Sequence, residues 1–243
     1  ALGCNTTGSC NVAIGQQALN NNTTGNYNTA LGYRALYTSL SGDHNFAAGC
    51  NALYGNWGGD NNTAIGPQAL QNNTTGWSNV AIGIQSLLYN TTGYSNNAIG
   101  HLALNKNTTG YNNTAIGHVA LNQNTTGYSN NAMGSYALYN NTTGNHNFAA
   151  GQAALQCNTT AGSNTAIGWE ALQYNTTGHN NTALGYRTLY LANSGDHNFA
   201  AGCKALYSNW GGCYNTGIGY NALYSNTTGS NNNAIGNYSL ACN

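Results

Sequence analysis

The stretch NTTGNYNTALGYRALYT (Asn22–Thr38) contains the pattern that decides the fold, because its glycine, asparagine and leucine positions recur along the chain every 17 residues. The period never slips, as shown by the glycines at 15, 32, 49, 66, 83, 100, 117, 134, 151, 168, 185, 202, 219 and 236. Fourteen such units and five further residues make up the chain, since 14 × 17 = 238 and 243 − 238 = 5. A fixed period is typical of a solenoid, in which each unit buries its apolar face only by stacking on its neighbours.

We number the positions of the unit as columns 1 to 17, starting from Asn22. Leucine fills column 15, glycine column 11 and asparagine column 7, and alanine fills column 9 except at Gly217. The unit is too short for a helix-turn-helix repeat of about 34 residues, and its apolar positions lack a 3.6-residue period. The sequence predicts an all-β parallel β-solenoid (β-roll) of about fourteen 17-residue coils. We expect two short strands per coil, near columns 7–11 and 13–16, with the glycines of columns 4 and 11 at the corners.

Columns 8 and 10 vary together. Column 8 is usually Thr, Val or Asn, but it is Phe at 46, 148 and 199, and in those coils column 10 is Ala at 48, 150 and 201. This volume compensation predicts that columns 8 and 10 share a packed face and that columns 7, 9 and 11 share the other. Two interpretations of the interior stay open. Either Ile and Leu fill the coil, or the roll is narrow and lined by Ala and Gly, which leaves an external apolar stripe that needs a partner chain.

The asparagine of column 7 predicts a stacked amide ladder, in which each side chain bonds to its neighbours along the solenoid. The alternative is a simple turn asparagine, and the presence of Asn in all fourteen units favours the ladder. Its members are Asn11, Asn28, Asn45, Asn62, Asn79, Asn96, Asn113, Asn130, Asn147, Asn164, Asn181, Asn198, Asn215 and Asn232.

The domain organisation predicted from the period is one continuous array over residues 1–243. A longer repeat lies within it, because LGYRALYTSLSGDHNFAAGCNALYGNWGG (Leu31–Gly59) recurs as LGYRTLYLANSGDHNFAAGCKALYSNWGG (Leu184–Gly212). The offset of 153 residues is 9 × 17, so residues 1–90 resemble residues 154–243. Neither end carries a recognisable polar cap, and we expect the ends to stack head to tail on further copies, as in a fibre built from a segment or a processed chain.

The composition excludes some partners. Four basic and four acidic residues give a formal net charge of zero, which excludes the clustered Lys and Arg that nucleic acid requires. Low charge also favours self-association. No apolar run approaches the ~18 residues of a membrane span.

Seven cysteines are an odd number, so at least one thiol is free or intermolecular. Cys4 with Cys10, and Cys203 with Cys213, are the candidate local disulfides, provided that their Cα atoms come within ~7 Å. Cys50 has no such partner, because Asp60 stands at the position that matches Cys213. The cysteine spacing does not fit a zinc site.

The Asn-Thr-Thr segment of the unit matches the N-glycosylation rule, so we expect covalent N-glycans along one edge of the solenoid. The alternative is that Asn and Thr are turn formers bonded to the local backbone. The candidates are Asn5, Asn22, Asn73, Asn90, Asn107, Asn124, Asn141, Asn158, Asn175 and Asn226, with further sequons at Asn61, Asn112, Asn180 and Asn237. The threonines also form ladders of the kind that can order ice, although Leu40, Trp57, Asn193 and Trp210 interrupt the column.

Residues with catalytic or metal-binding potential are few. His101 and His118 share column 12 on adjacent coils but lack a third ligand, and surface histidines are the simpler interpretation. Asp43-His44 has no positioned nucleophile, and Glu170 is the only glutamate, so acid–base chemistry has little to work with. We therefore expect no enzyme activity, no metal and no cofactor.

The core of the unit, as in NTAIGPQAL (Asn62–Leu70) and NTAIGHVAL (Asn113–Leu121), resembles the YadA-like head repeats of trimeric autotransporter adhesins and the NTAIG-type repeats of tail-fibre-like surface proteins. The resemblance covers about nine residues per unit, and this unit adds an NTTG segment. It implies a homotrimeric β-roll, placed extracellularly or at the cell surface, with an adhesive or structural role. The sequence thus predicts a structural, self-associating fibre or adhesin shaft. A ligand-binding adhesin head or an ice-binding solenoid is the alternative.

Overall fold

The computed structural model describes residues 1–242, and these residues form an all-β structure with one short strand in each repeat unit. The strands are β1 Val12–Ile14, β2 Thr29–Leu31, β3 Phe46–Ala48, β4 Thr63–Ile65, β5 Val80–Ile82, β6 Asn97–Ile99, β7 Thr114–Ile116, β8 Asn131–Met133, β9 Phe148–Ala150, β10 Thr165–Ile167, β11 Thr182–Leu184, β12 Phe199–Ala201, β13 Thr216–Ile218 and β14 Asn233–Ile235. The chain divides between Thr126 and Gly127 into two compact units, which hold β1–β7 and β8–β14. The prediction of one continuous array over residues 1–243 stays a prediction.

Within each unit the strands pair in parallel with an offset of one repeat. Thr63 pairs with Val80, and Ala64 with Ala81, so a residue always meets its own column in the next coil. The same register joins Thr216 to Asn233 in the second unit. The parallel solenoid with 17-residue coils is therefore confirmed.

The second strand expected at columns 13–16 is wrong for the described residues, where columns 12–17 form consecutive turns. Columns 13 and 15 have left-handed backbone, as at Arg34 (φ 52°) and Leu36 (φ 51°), and this conformation cannot continue a strand. The main chain still bonds from coil to coil, because Leu36 N donates to Ala52 O at 3.0 Å. Neighbouring coils are thus joined by main-chain hydrogen bonds on the strandless side as well.

Column 11 requires glycine for two reasons, a positive φ angle and the close approach of the next coil. Gly100 has φ +133°, and a Cβ there would lie 2.5 Å from the carbonyl oxygen of Gly117 in the next coil. The expectation that the corner at column 4 requires glycine is wrong, because Ala161 occupies this column in one coil and is fully buried there. The corner near column 4 uses instead a non-glycine residue at column 6, such as Tyr27 with φ 56°.

The interior is narrow, and each of the two interpretations left open by the sequence is correct in part. Leucine lies inside the coil with alanine, whereas isoleucine lies outside. Away from the first and last coils, the alanines of columns 9 and 14 and the leucines of column 15 are buried, for example Ala98, Ala103 and Leu104 at 0% exposure. Columns 8 and 10 share a face, as the Phe/Ala covariation indicates, and the structure places it on the outside of the coil, where Phe46 is 37% and Ile99 39% exposed.

The buried leucine column should carry much of the stability. We expect Leu104→Ala to lower the free energy of unfolding by about 2–5 kcal/mol, because it leaves a cavity in a close-packed interior. Leu40, which is 45% exposed, is the control, and Leu40→Ala should change stability by less than about 0.5 kcal/mol. Denaturant unfolding followed by circular dichroism measures both, and equal losses would contradict the assignment of column 15 to the interior.

Candidate functional site

The column 7 asparagines form a stacked amide ladder within each unit. The side-chain Oδ1 of Asn45 accepts the backbone N–H of Asn62 at 2.9 Å, and Asn62 Nδ2 donates to the carbonyl oxygen of Gly76 at 2.8 Å. The same pair of bonds recurs in the second unit, where Asn198 N donates to Asn181 Oδ1 and Asn198 Nδ2 donates to Gly212 O. Each amide thus supplies an acceptor to the coil after it and a donor to the corner of that coil.

A second ladder, which sequence reasoning missed, is built by the column 1 asparagines. Asn90 Nδ2 donates to Asn73 Oδ1 of the preceding coil at 2.8 Å and to the carbonyl oxygen of Gly93 at 2.9 Å. Asn107 repeats both bonds toward Asn90 and Gly110. The sequence carries a signal for this ladder, because column 1 is asparagine in every coil except those with Ser39 and Ala192. The same asparagines match the N-glycosylation rule, and that match led to the glycosylation prediction instead.

The N-glycosylation prediction is incompatible with this second ladder. The following candidates are at most 1% exposed: Asn22, Asn73, Asn90, Asn107, Asn124, Asn141, Asn158, Asn175 and Asn226. The nitrogen that would carry the glycan lies in the interior, where a sugar has no space. Asn5, in the first coil, is exposed, although its Nδ2 donates to Gly8 O. Asn61, Asn112, Asn180 and Asn237 lie in other columns and are exposed.

The column 1 ladder is interrupted at two equivalent coils of the duplicated segment. Ser39 replaces asparagine in the first unit, and both its Oγ and the Oδ1 of Asn22 lack a hydrogen-bond partner. Ala192 stands at the same column in the second unit, and the Oδ1 of Asn175 is unpartnered there. Each interruption therefore leaves a buried acceptor unsatisfied, which costs stability.

An exposed apolar stripe runs along the outer face of the strands within each unit. Column 10 presents Ile65, Ile99 and Ile116 at 38–41% exposure in the first unit, and Ile167 at 43% in the second. Columns 8 and 10 contain no charged residue in any coil. We call columns 8 and 10 together the outer stripe.

Aromatic residues stack in other columns. Trp77, Tyr94 and Tyr111 form a continuous stack with ring centroids 4.8 and 4.9 Å apart. His101 and His118 stack at 5.3 Å. Among the described residues no group of three His, Cys, Asp or Glu side chains could hold a metal ion. The stacks follow the coil spacing, so ladder packing accounts for them.

One ion pair joins adjacent coils of the second unit. Arg187 Nε donates to the carboxylate of Glu170, and the guanidinium also lies over the rings of Tyr186 and Tyr190. Burial and the hydrogen bond with Tyr174 raise the pKa of Tyr190 to about 12. The sole glutamate of the sequence therefore forms an ion pair between adjacent coils.

All seven cysteines are free thiols, so the structure contradicts the expected Cys4–Cys10 and Cys203–Cys213 disulfides. The two members of each pair lie in different columns, and Cys213 Sγ instead accepts the backbone N–H of Asp196 in the preceding coil. Cys157 is half-buried, and burial raises the pKa of its thiol. It lines an open surface groove of about 250 Å³ together with Tyr174, Thr176, Leu191, Asn193 and Trp210.

Comparison with protein-family models, with curated proteins and with solved structures found no match to this chain. The resemblance to adhesin head repeats therefore stays a prediction. The described residues contain no helix with the length and apolar character needed to cross a membrane.

The interrupted ladder can be repaired by one substitution. We expect Ala192→Asn to raise the free energy of unfolding by about 1–2 kcal/mol, because it gives Asn175 Oδ1 a donor and adds an acceptor for Asn209. The reverse change, Asn90→Ala in an intact part of the ladder, should lower it by about 1–3 kcal/mol. Thermal unfolding of both variants measures the effect, and a lower midpoint for Ala192→Asn would show that column 1 does not form a continuous ladder.

Proposed function

We propose that this chain is a non-enzymatic structural protein that self-associates through its outer stripe and builds an extracellular fibre or adhesin shaft. The observation that carries the proposal is the exposed isoleucine column on a coil whose interior is already filled. Since leucine and alanine fill the inside, the isoleucines contribute nothing to the core. Rows of exposed apolar side chains of this kind mark interaction surfaces.

The charge distribution supports self-association. The chain carries four basic and four acidic residues in 243, and none of them lies in the outer stripe. Two copies can therefore approach through this face without bringing like charges together or burying an unpaired charge. The threonines and asparagines of column 8 place polar side chains next to the apolar side chains of column 10. This polar column suits a surface that stays soluble before assembly.

The finer parts of the proposal rest on the resemblance to trimeric adhesin heads. It supports three chains per assembly and a location outside the cell or at its surface. Head-to-tail stacking of copies is a further proposal that identical coils permit. Glycans, where present, are proposed for exposed sequons such as Asn61, Asn112, Asn180 and Asn237, and not for the buried asparagines of column 1.

Sedimentation analysis of the purified chain tests the stripe directly. We expect the wild type to be oligomeric, and Ile99→Ser with Ile116→Ser to weaken association at least about tenfold, because burying each isoleucine is worth roughly 1.5–3 kcal/mol. The matched control is Ile84→Ser with Leu40→Ser. These two side chains are 50% and 45% exposed but lie outside the stripe, so their replacement should leave association unchanged. A wild type that is monomeric at every concentration would contradict the proposed function.

A second candidate, ice binding, rests on one column of threonines. Thr75, Thr92 and Thr109 of column 3 are exposed on successive coils. The neighbouring column 2 hydroxyls are occupied, because Thr74 Oγ1 and Thr91 Oγ1 donate to main-chain carbonyls of the next coil. A single free column is a narrower array than an ice face needs, so we expect no thermal hysteresis, and measurable hysteresis would favour this candidate over the fibre.

A further inference from the structure

Where the column 1 ladder is intact, the side-chain amide of each asparagine satisfies three groups. Asn90 Nδ2 donates to Asn73 Oδ1 of the preceding coil at 2.8 Å and to the carbonyl oxygen of Gly93 in its own corner at 2.9 Å. Asn90 Oδ1 in turn accepts from Asn107 Nδ2 of the following coil at 2.8 Å. A column 1 asparagine therefore supplies two donors and one acceptor to its surroundings.

Ala192 supplies none of these, and the protein leaves the corresponding groups unmatched. Asn175 Oδ1 is buried without a hydrogen-bond partner. Among the residues that the structure describes, the carbonyl oxygen of Gly195 accepts only from Asn181 Nδ2, and Asn209 Nδ2 donates only to the carbonyl of its own corner. The interruption thus leaves two acceptors and one N–H group each short of a bond that an intact coil makes.

No neighbouring side chain moves into the position of the missing amide. A Cβ built on Gly178, in the coil of Asn175, would lie 2.5 Å from Asn175 Oδ1. At the same point of Gly195, one coil further on, the two nearest side-chain atoms are the Nδ2 groups of Asn198 and Asn209, at 3.1 and 3.2 Å. The position that the amide oxygen occupies in the coil of Asn175 is therefore not filled by another side chain at Gly195.

The surroundings of this space select a small neutral molecule with two donors. Ala192, Asn175 and Asn209 are 0% exposed, so the space is closed to bulk solvent. Columns 1 to 4 contain no charged residue, and an ion would be buried there without a counter-charge. The carboxamide that alanine lacks has three heavy atoms and is larger than one water molecule. Water is the smallest molecule that donates twice, and enclosed polar spaces of this size are where buried water is found.

We propose that the interruption at Ala192 is a binding site for one internal water molecule, which takes the place of the missing amide nitrogen. Its two O–H groups donate to Asn175 Oδ1 and to the carbonyl oxygen of Gly195, as the Nδ2 of a column 1 asparagine does in an intact coil. Because an ordered water loses entropy, the hydrated interruption remains less stable than a continuous ladder. This inference concerns the interior of the second unit and does not depend on self-association.

Two substitutions of one shape test whether the interruption is hydrated. The same space holds asparagine in other coils, so leucine, which has a similar shape but no polar atom, fits at position 192. We expect Ala192→Leu to lower the thermal midpoint by about 2–4 °C, because it displaces the water and leaves both acceptors without a donor. Ala192→Asn is the matched control and should raise the midpoint, since its amide supplies the same two donors. A midpoint for Ala192→Leu at or above that of the wild type would show a dry cavity and overturn the proposal.

Crystal structures of the wild type and of Ala192→Asn examine the site directly. The wild type should show one water within about 2.7–3.2 Å of both Asn175 Oδ1 and the carbonyl oxygen of Gly195. In Ala192→Asn the new Nδ2 should replace it. A wild-type map without this water, or with the Asn175 amide turned toward another partner, would overturn the proposal while leaving the proposed function untouched.

Discussion

The pairing of buried asparagine amides with the coils above and below is the constraint on which the rest of the structure depends. An amide in an interior of alanine and leucine costs free energy unless its donors and acceptors are matched. In this chain the partner is the equivalent group one repeat away, so columns 1 and 7 must stay aligned from coil to coil. The constant 17-residue period keeps them aligned.

The narrow interior determines what the surface presents. Main-chain corners at left-handed residues bring the leucine of column 15 inward, and the leucines and alanines leave no volume for isoleucine. Column 10 is therefore exposed, although its residues are as apolar as those of the core. A filled coil and a row of exposed apolar side chains at column 10 are two results of the same packing.

The sequence predicts the solenoid, the period, a strand near columns 7–11 and the column 7 ladder, because regular spacing is visible without coordinates. The absence of a second strand could not be predicted, since residues such as Arg34 and Leu36 have no preference for left-handed backbone and adopt it under the constraint of closing the coil. Covariation of Phe46 with Ala48 showed a shared face but could not distinguish inside from outside. The Asn-Thr-Thr motif matched a surface modification rule, whereas the burial of Asn90 depends on how the corner closes.

Hydrogen exchange of the asparagine side-chain amides, followed by NMR, tests the central claim most directly. We predict that the Nδ2 protons of columns 1 and 7, such as those of Asn90 and Asn96, exchange much more slowly than those of exposed asparagines such as Asn72 and Asn112. A single population that exchanges at the rate of an unfolded chain would show that the amides are solvated and that the coils are not held together by buried ladders.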